Sequence, residues 1–369
     1  MKFTVLKENF FKGLNVVGKA INSRTSMPIL SNVLIKTEKG RLSMTASGLQ
    51  LSITAKIGAK VDSDGAIAVP ARLLAEFVSQ VSGEKIDAEL KGSIFKVNTD
   101  KSSASFAGAD AGEFPTIDLV DKGLEVELSA KEFTQVLQLV GFTVASDEGR
   151  PVLTGIYCKA EGSSIIFAGT DGFRMAEYKM KLGKSVSEKI EFIVPARSFI
   201  EVGRAFVTED EKLTLVVDPE RNLVAMKAAD MEAHFRIIDG EYPDYQSIIP
   251  AEFSSEVHIS KSEFENGIKL ANIFSRESGN MVKLVVKKGS VESISQPTET
   301  GSSSNEMSAE VTGEEVEIAF NAKYLLEFLA NATEDDLVFK ISEPLKPGLF
   351  KFEGKDHYLY IVMPMKANW

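Results

Sequence analysis

Hydrophobic positions follow two different periods along this chain. In one kind of segment they recur at intervals of three and four, as at Phe10, Leu14, Val17 and Ile21, which is typical of an amphipathic helix packed on an apolar surface. In the other kind they alternate with polar residues between Gly, Asp or Pro turns, which is typical of antiparallel hairpins. Examples are LSMTA, KLTLVV, LVAMKA, LVFKIS and LFKFEG. The pattern predicts an α+β fold in which helices cover antiparallel sheets.

A nine-residue pattern occurs three times and indicates the larger organisation. It reads VPARLLAEF from Val69, VPARSFIEV from Val194 and FNAKYLLEF from Phe320, with 125 and 126 residues between the starts. Another landmark has nearly the same offset, since SGLQLSIT from Ser47 lies 124 residues before DGFRMAEY from Asp171. The chain is therefore predicted to contain three repeated domains, at 1–124, 125–252 and 253–369.

Each repeat is predicted to run helix, strands, helix, strands over about 120 residues, an ordinary size for a domain. The six helical segments are predicted at 7–24, 71–82, 131–150, 196–207, 261–277 and 322–331. Because no catalytic centre needs to be built three times on one polypeptide, such a repeat favours an architecture whose shape is its function. A closed ring or an arc is the expected form.

Composition places the chain among globular proteins. It has 44% hydrophobic residues, yet no apolar run approaches the ~20 residues of a membrane span. The opening MKFTVLKENFF lacks the apolar core of a signal peptide. The one cysteine, Cys158, excludes an intrachain disulfide and is expected to fill the core. These features predict a soluble protein of the reducing cytoplasm that does not associate with membranes.

The sequence offers no recognisable catalytic or metal centre. His234, His258 and His357 lack metal-ligand spacing and are expected on strand surfaces. There is no phosphate-binding Gly-rich loop, dinucleotide fingerprint or nucleophile elbow, and Asp171 in TDGFR is interpreted as a turn residue. The run SISQPTETGSSSNEM from Ser293 is interpreted as a mobile loop or a hairpin tip. No catalytic residue, cofactor or metal is therefore predicted.

Charge is distributed unevenly between the predicted helices and the rest of the chain. The net charge of −11 argues against binding nucleic acid, but the six helical segments sum to +3 and leave −14 for the remainder. Arg72, Arg197 and Lys323 occupy one equivalent position in the three repeats, which indicates a basic lining on a curved inner surface. From these residues alone, two other classes stay open: an enzyme with a diffuse carboxylate site, and a repeat scaffold that binds only proteins.

Seven motifs in order resemble the signatures of one family. They are MKFTV at the start, MPILSN at Met27, VPAR at Val69, GTDGFR at Gly169, GEYPDY at Gly240, FNAKYLL at Phe320 and YIVMPM at Tyr360. Over its whole length the chain resembles the bacterial DNA polymerase III beta subunit, the replicative sliding clamp. The resemblance implies a head-to-tail homodimer in which two chains of three domains close a ring, with twelve helices inside and sheets outside. It further implies a processivity factor without catalysis, which encircles duplex DNA non-specifically.

The resemblance also implies which residues carry these roles. The DNA-facing residues are implied to be Arg24, Arg72, Arg197, Arg204 and Lys323. A pocket for short peptides of the polymerase, the clamp loader and repair factors is implied at Leu153, Thr170, Gly172, Arg174, Met175, Pro243, Ile248, Asn321, Tyr324, Leu345, Val362, Met363, Pro364 and Met365. At the dimer interface, we expect Phe106 of one subunit to pack against Ile273 and Phe274 of the other, because head-to-tail closure removes the unpaired sheet edges at the two ends of a three-domain arc. The chain departs from a common family pattern at Phe173, Ser247 and the tail Ala367, Asn368 and Trp369, which bears on peptide preference.

Overall fold

The computed structural model describes residues 1–21, 27–38, 40–147, 149–207, 212–299, 301–367 and 369. Within these ranges the α-helices are α1 Lys7–Val17, α2 Ala71–Gln80, α3 Ala130–Gly141, α4 Ala196–Phe206, α5 Lys261–Ser275 and α6 Ala322–Asn331. Short 3₁₀ turns lie at Gly18–Ala20, Pro28–Ser31, Ala111–Glu113, Pro151–Thr154, Gln246–Ile248 and Arg276–Ser278.

Strands make up most of the remaining described chain. The first thirteen are β1 Lys2–Leu6, β2 Asn32–Glu38, β3 Arg41–Ser47, β4 Leu51–Gly58, β5 Lys60–Ser63, β6 Ala66–Pro70, β7 Lys85–Lys91, β8 Ile94–Asn98, β9 Ser103–Ala107, β10 Leu124–Ser129, β11 Gly155–Glu161, β12 Ser164–Thr170 and β13 Arg174–Lys181. The others are β14 Ile190–Pro195, β15 Lys212–Asp218, β16 Leu223–Ala228, β17 Met231–Arg236, β18 Ser255–Ser260, β19 Met281–Lys287, β20 Ser290–Ser295, β21 Ser304–Ser308, β22 Glu310–Gly313, β23 Val316–Asn321, β24 Asp336–Ile341, β25 Gly348–Phe352 and β26 Lys355–Val362.

The chain forms two compact units. The first comprises Met1–Thr134, Leu182–Val186 and Arg197–Ile237. It contains a five-stranded sheet, β5-β1-β7-β8-β9, and an eight-stranded sheet, β10-β15-β16-β17-β4-β3-β2-β6, with antiparallel pairing throughout. Helix α1 packs on α2 and on β4, and the buried Phe10 contacts Phe3 edge to face with ring centroids 6.3 Å apart.

The second unit comprises Gln135–Lys181, Ser187–Ala196 and Ile238–Trp369. Its nine-stranded sheet has the order β14-β11-β12-β13-β26-β25-β24-β18-β22, and its four-stranded sheet has the order β21-β20-β19-β23. Helices α5 and α6 pack together, and α6 buries Phe328, whose ring stacks on that of Tyr360 at 4.8 Å between centroids. From β14 to β18, the nine-stranded sheet has the same strand order as the eight-stranded sheet has from β6 to β10. Each of these strands of the nine-stranded sheet comes from the repeat that follows that of its counterpart.

The repeated nine-residue pattern marks a junction from strand to helix. In the first two copies the strand ends at Pro70 or Pro195 and the helix begins at the next residue. Proline suits this place because it lacks the N–H that a first helical turn leaves without an intrahelical acceptor. In the third copy Asn321 takes the position, and its Oδ1 accepts a hydrogen bond from Lys323 N at 3.0 Å.

Three features differ from the predictions. The first helix was predicted to reach residue 24, but α1 ends at Val17, where the poor helix former Gly18 follows, and the backbone is already extended at Ile21 after the 3₁₀ turn; residues 22–24 lie outside the described ranges.

The third helix was predicted to reach residue 150 but ends at Gly141, because Thr143 turns inward and its buried hydroxyl donates to Val140 O at 2.7 Å. His234 was expected on a strand surface but is buried, because β17 is an interior strand of the eight-stranded sheet, and its Nδ1 accepts from Val120 N at 3.2 Å.

Two other predictions are confirmed. Cys158 is buried on β11, and burial raises the pKa of its thiol well above the ordinary value, which keeps it an unreactive core residue. The run from Ser293 belongs to a hairpin, since it begins in β20 and ends in β21, which pair antiparallel with Ser293 opposite Asn305.

Candidate functional site

The candidate site is built around the pairing of β13 with β26 in the second unit, where Arg174 lies opposite Val362. A tight turn precedes β13. The Thr170 hydroxyl donates to Arg174 O at 2.6 Å and accepts from Gly172 N at 3.0 Å. Gly172 has a φ of 91°, a conformation that favours glycine, and Asp171 Oδ1 accepts from Arg174 N at 3.0 Å. The interpretation of Asp171 as a turn residue is confirmed.

Arg174 is buried and its guanidinium is surrounded by acceptors. Its Nε donates to Asp171 Oδ2 at 3.0 Å, its Nη1 lies 2.6 Å from Glu327 Oε2, and its Nη2 donates to Phe142 O at 3.0 Å. The guanidinium carbon also lies 4.6 Å from the ring centroid of Tyr324. Since Nε and Nη2 donate hydrogen bonds and Nη1 forms an ion pair with Glu327, Arg174 links β13 to α6 and is an organising residue of the site.

The surroundings keep the site in one protonation state at neutral pH. Burial lowers the pKa of Arg174, but Tyr360, Glu327 and Asp171 oppose it and leave the pKa above its ordinary value. Burial raises the pKa of Tyr324, whose phenol therefore stays neutral. The guanidinium is charged over the whole physiological range.

The segment after β26 is fixed at both ends. Met363 N donates to Phe173 O at 2.8 Å, and Met365 N donates to Ala319 O at 2.8 Å. Pro364 lies between these two bonds and has no N–H to satisfy. The backbone bonds hold a Met-Pro-Met segment, half-buried throughout, as one wall of the site.

A cleft of about 410 Å³ lies beside this wall, lined by residues from 247–252, from 342–347 and by Met363. Ile248 and Leu345 are 41% and 67% exposed in it. Phe173, which is bonded to Met363, is 63% exposed. Grouped large apolar side chains of this kind mark interaction sites on soluble proteins.

The β13–β26 pairing is supported by a buried cluster that contains another predicted pocket residue, Met175. Met175 lies opposite Ile361 and is buried in a cluster that includes Tyr245 and Leu349. The Tyr245 hydroxyl donates a hydrogen bond to Glu177 Oε2 at 2.6 Å. Burial, with a smaller effect of Glu177, raises the pKa of Tyr245. These side chains give the site a rigid base.

Two predicted pocket residues, Leu153 and Pro243, are not among those that line the cleft. Leu153 is buried in the 3₁₀ turn Pro151–Thr154, and its carbonyl accepts from Ala145 N at 2.9 Å. Pro243 is exposed in the segment before β18, with its carbonyl accepting from Tyr245 N at 2.8 Å. Their assignment to the pocket stays a prediction.

Sequence analysis missed three residues that the geometry makes central. Glu327 and the carbonyl of Phe142 bind Arg174, and Ile249 lines the cleft. Of these, Glu327 had a usable signal, because it occupies the eighth position of the repeated pattern, where Glu76 and Glu201 stand in the other copies. The other two depend on contacts that no local pattern encodes.

The predicted DNA-facing residues within the described ranges are all exposed: Arg72, Arg197, Arg204 and Lys323. Arg24 lies outside the described residues. The six α-helices carry nine basic and seven acidic residues, a net charge of +2, in a chain of −11. The helices are therefore the least acidic part of this chain.

The predicted interface residues differ in accessibility. Phe106 on β9 is 4% exposed, with its ring 5.9 Å from that of Phe77 in the same chain. Ile273 on α5 is 57% exposed, and its neighbour Phe274 is half-buried. β9 and β21 are each the last strand of their sheet, so each has an unpaired edge in a single chain.

Metal binding and membrane insertion were also considered for the described ranges. There, no group of three or more His, Cys, Asp or Glu side chains is placed to hold a metal ion. No helix in the same ranges combines the length and apolarity that crossing a membrane requires.

Comparison with known proteins gives matches along the whole chain. Residues 1–118 match the N-terminal domain of the DNA polymerase III beta subunit, residues 127–244 its central domain and residues 246–366 its C-terminal domain. A curated beta sliding clamp of Staphylococcus aureus strain Mu50 is 27% identical over 378 residues, which cover 100% of both chains. A beta sliding clamp of Staphylococcus epidermidis is 26% identical over the same span.

Solved structures agree. A DNA polymerase sliding clamp from Bacillus subtilis has a TM-score of 0.94 at 26% identity, covering 100% of this chain and 99% of that one. A DNA polymerase III beta subunit from Thermotoga maritima has the same fold, with a TM-score of 0.92 at 22% identity over 99% of each chain. The predicted α+β fold of three repeated clamp domains is confirmed, while the domain bounds at 124 and 252 stay a prediction. Because the three matched domains together span nearly the whole sequence, the chain belongs to the DNA polymerase III beta subunit family.

Proposed function

We propose that this chain is a DNA sliding clamp, a processivity factor without catalysis of its own. Two copies close head to tail into a ring around duplex DNA and tether the replicative polymerase, the clamp loader and other proteins through the cleft beside Met363. The observation that carries the proposal is the ordered match of all three domains to one family. We place the protein in the cytoplasm, with the nucleoid.

Contact with DNA is assigned to the helices. Arg72, Arg197, Arg204 and Lys323 are exposed on helices, and the six α-helices together carry a net charge of +2, whereas the rest of the chain is acidic. Phosphate contacts carry no sequence information, so a few of them hold DNA without fixing a position along it. Acidic strands limit adhesion to DNA elsewhere on the surface.

Ring closure is assigned to the free edges of β9 and β21. A head-to-tail contact pairs β9 of one subunit with β21 of the other and so removes both edges. Ile273 and Phe274 of the partner's α5 then cover β9, where Phe106 already packs on Phe77. Because Phe106 is buried in its own chain, the exposed Ile273 supplies most of the new apolar contact.

Partner binding is assigned to the cleft of the second unit. Exposed Ile248, Leu345 and Phe173 offer apolar surface for the leucine and aromatic anchors of short peptides. Methionine side chains adapt to differently shaped anchors, which suits a site shared by several partners. Phe173 and Ser247, where the chain departs from the common family pattern, lie at the rim and would shift the preference among peptides. Ala367 and Trp369 continue the tail beyond this wall.

A primer-extension assay tests the proposal. With a clamp loader and ATP, the chain should convert the short products of its cognate polymerase on a long primed template into full-length products. Sedimentation should give twice the 40.3 kDa chain mass. Unchanged product length with an intact dimer would contradict the proposal and favour a scaffold that binds only proteins.

A further inference from the structure

The basic residue of the repeated pattern has a glutamate one helical turn later in every copy. Arg72 Nε lies 3.0 Å from Glu76 Oε1, and Arg197 Nε lies 3.4 Å from Glu201 Oε1. In the third copy Lys323 Nζ lies 3.8 Å from Glu327 Oε1. These are the fourth and eighth positions of the nine-residue pattern, so the same pair is written three times.

Helix stability does not account for this arrangement. Arg72, Arg197 and Lys323 are each the second residue of a helix, where the helix dipole disfavours a cation. An i,i+4 pair is also more favourable with the acidic residue on the N-terminal side, and here the order is reversed. A stabilising helix design would exchange the two residues. Three copies of the less favourable order indicate that the pair serves a different purpose.

The pairs are exposed and easily exchanged. The side chains of Arg72 and Arg197 are 91% and 92% exposed, and those of Glu76 and Glu201 are 61% and 46% exposed. Ion pairs with this exposure contribute little net free energy, since water and salt compete for both groups. An incoming phosphate can therefore replace the carboxylate, although the carboxylate stays within a Debye length and continues to repel it.

We propose that Glu76, Glu201 and Glu327 limit the affinity of the clamp for DNA by competing with phosphates for the basic residue in each repeat. This inference depends on the proposed placement of Arg72, Arg197 and Lys323 against the duplex. Each phosphate contact is weakened, so it forms and breaks readily as the DNA moves past. The glutamates thereby keep the inner face basic enough to attract DNA and weak enough to slide on it.

The third pair has an additional constraint. Glu327 is 33% exposed and its second oxygen lies 2.6 Å from Arg174, so its carboxylate is shared between Lys323 and the peptide site. Substitution of Glu327 would disturb both. The test therefore uses the first two pairs, which lie outside the second unit.

The test is the double variant Glu76→Gln/Glu201→Gln, studied as the full-length dimer. Its affinity for a primed DNA duplex should rise about 3- to 10-fold at low salt, with a steeper dependence of log K on log salt concentration. Once the clamp is loaded on DNA, single-molecule tracking should give slower diffusion along it. The matched control is Glu89→Gln/Glu127→Gln, because these glutamates pair with Lys91 at 3.0 Å and Lys212 at 3.4 Å on strands. The control makes the same change in net charge away from the helices.

The outcomes separate this inference from the function on which it depends. Tighter binding and slower diffusion in the helix variant alone support it. An equal gain in both variants would show an effect of net charge and overturn it. Unchanged DNA binding would also overturn it, and Arg72→Ala/Arg197→Ala then shows which assignment fails. If that variant binds DNA more weakly, only the role of the glutamates is wrong; if it does not, the DNA-facing placement is wrong as well.

Discussion

The two units share one strand pairing. In the first unit β4 pairs with β17, in the second β13 pairs with β26, and both pairs occupy the same place in sheets with the same strand order. In the first unit Leu51 lies opposite Phe235, and in the second Met175 lies opposite Ile361. Both units also have a cleft near this pairing, of about 200 Å³ in the first and about 410 Å³ in the second. The backbone therefore repeats this strand pairing in both units, although the two clefts near it are lined by different segments.

Side chains make the two grooves different. Gln50, which is exposed, takes the position of Arg174, so the first groove lacks the guanidinium that binds two carboxylates and a carbonyl in the second. After β26 the chain forms the Met363 to Met365 wall, whereas after β17 Ile237 N turns back to Asn222 O at 2.9 Å. The repeats supply the strand pairing, and the proposed binding site depends on a few residues that only the second copy has.

The largest effect is expected from removing the wall that only the second groove has. Deleting the chain from Met363 onward should cost roughly 2–4 kcal/mol of binding to a polymerase-derived peptide, on the scale of interface hot spots. Met27→Ala, which trims the rim of the first groove, should change peptide affinity by less than about 0.5 kcal/mol. Fluorescence anisotropy of a labelled peptide measures both, and equal losses would mean that the two grooves are not different in function.

Removing the organising arginine comes next. Arg174→Ala leaves Asp171 and Glu327 without their shared partner. The free energy of unfolding should fall by about 2 kcal/mol. This value lies below the range for fully buried pairs because the Glu327 side chain is 33% exposed. Gln50→Ala at the equivalent exposed position should lie within about 0.5 kcal/mol of the parent. Urea denaturation compares them, and similar midpoints for both variants would remove Arg174 from its assigned role.

A smaller effect is expected at the exposed rim. Leu345→Ala should weaken peptide binding by about 1–2 kcal/mol, the value of burying one leucine side chain under a ligand, without lowering the thermal midpoint. Leu49 is 77% exposed at the first groove, so Leu49→Ala is the matched control and should bind peptide like the parent. Isothermal titration calorimetry measures both affinities. A loss in the Leu49→Ala variant as large as that in the Leu345→Ala variant would contradict the assignment.

The smallest expected effect is a pH-dependent contribution to stability that β17 of the first unit makes and β26 of the second does not. The pKa of Glu232 on β17 is lowered to about 2, mainly by His234, whose Nε2 lies 3.3 Å from Glu232 Oε1, while burial opposes the shift and Lys227 adds to it. Because the folded pKa lies below the ordinary 4.5, this carboxylate stabilises the fold above pH 4.5 and loses that contribution as the pH falls towards 2. Glu232→Gln should therefore destabilise the chain by about 1 kcal/mol at neutral pH, allowing for solvent screening, and by less at pH 3.

The control for this prediction lies on β26, where Tyr358 takes the position of Glu232. Tyr358→Phe removes the hydrogen bond to Leu139 O at 3.2 Å, so its cost should not vary between pH 3 and neutral pH. Thermal melts of both variants across this window decide the matter. A constant difference for the Glu232 variant would show that its carboxylate is not linked to folding in this way.

Much of the fold could be predicted because its signals are local and repeated. The apolar stripe from Phe10 and the Pro-Ala junctions at Pro70 and Pro195 locate helices in each repeat from neighbouring residues alone. The end of α3 could not be predicted, since apolar residues continue past Gly141 and the chain leaves the helix there. The carbonyl of Phe142 instead accepts from the distant Arg174.

The site was predictable in its apolar parts and less so in its polar ones. Exposed Ile248 and Leu345 and the tail at Met363 follow from recognising the family motifs in order. The shared carboxylate of Glu327 could not be predicted, because its link to Arg174 joins residues that only the folded sheet and helix bring together. Burial of His234 likewise depends on its strand lying inside a large sheet.

Retention on DNA of different topology tests the central claim most directly. The chain should be loaded on a nicked circular plasmid by a clamp loader, separated from free protein by gel filtration, and followed after a restriction enzyme linearises the DNA. A clamp that encloses the duplex stays on the circle and is lost from the linear form, because its hold on DNA is topological and its phosphate contacts are weak. Equal retention on both forms, or equal loss from both, would contradict the account.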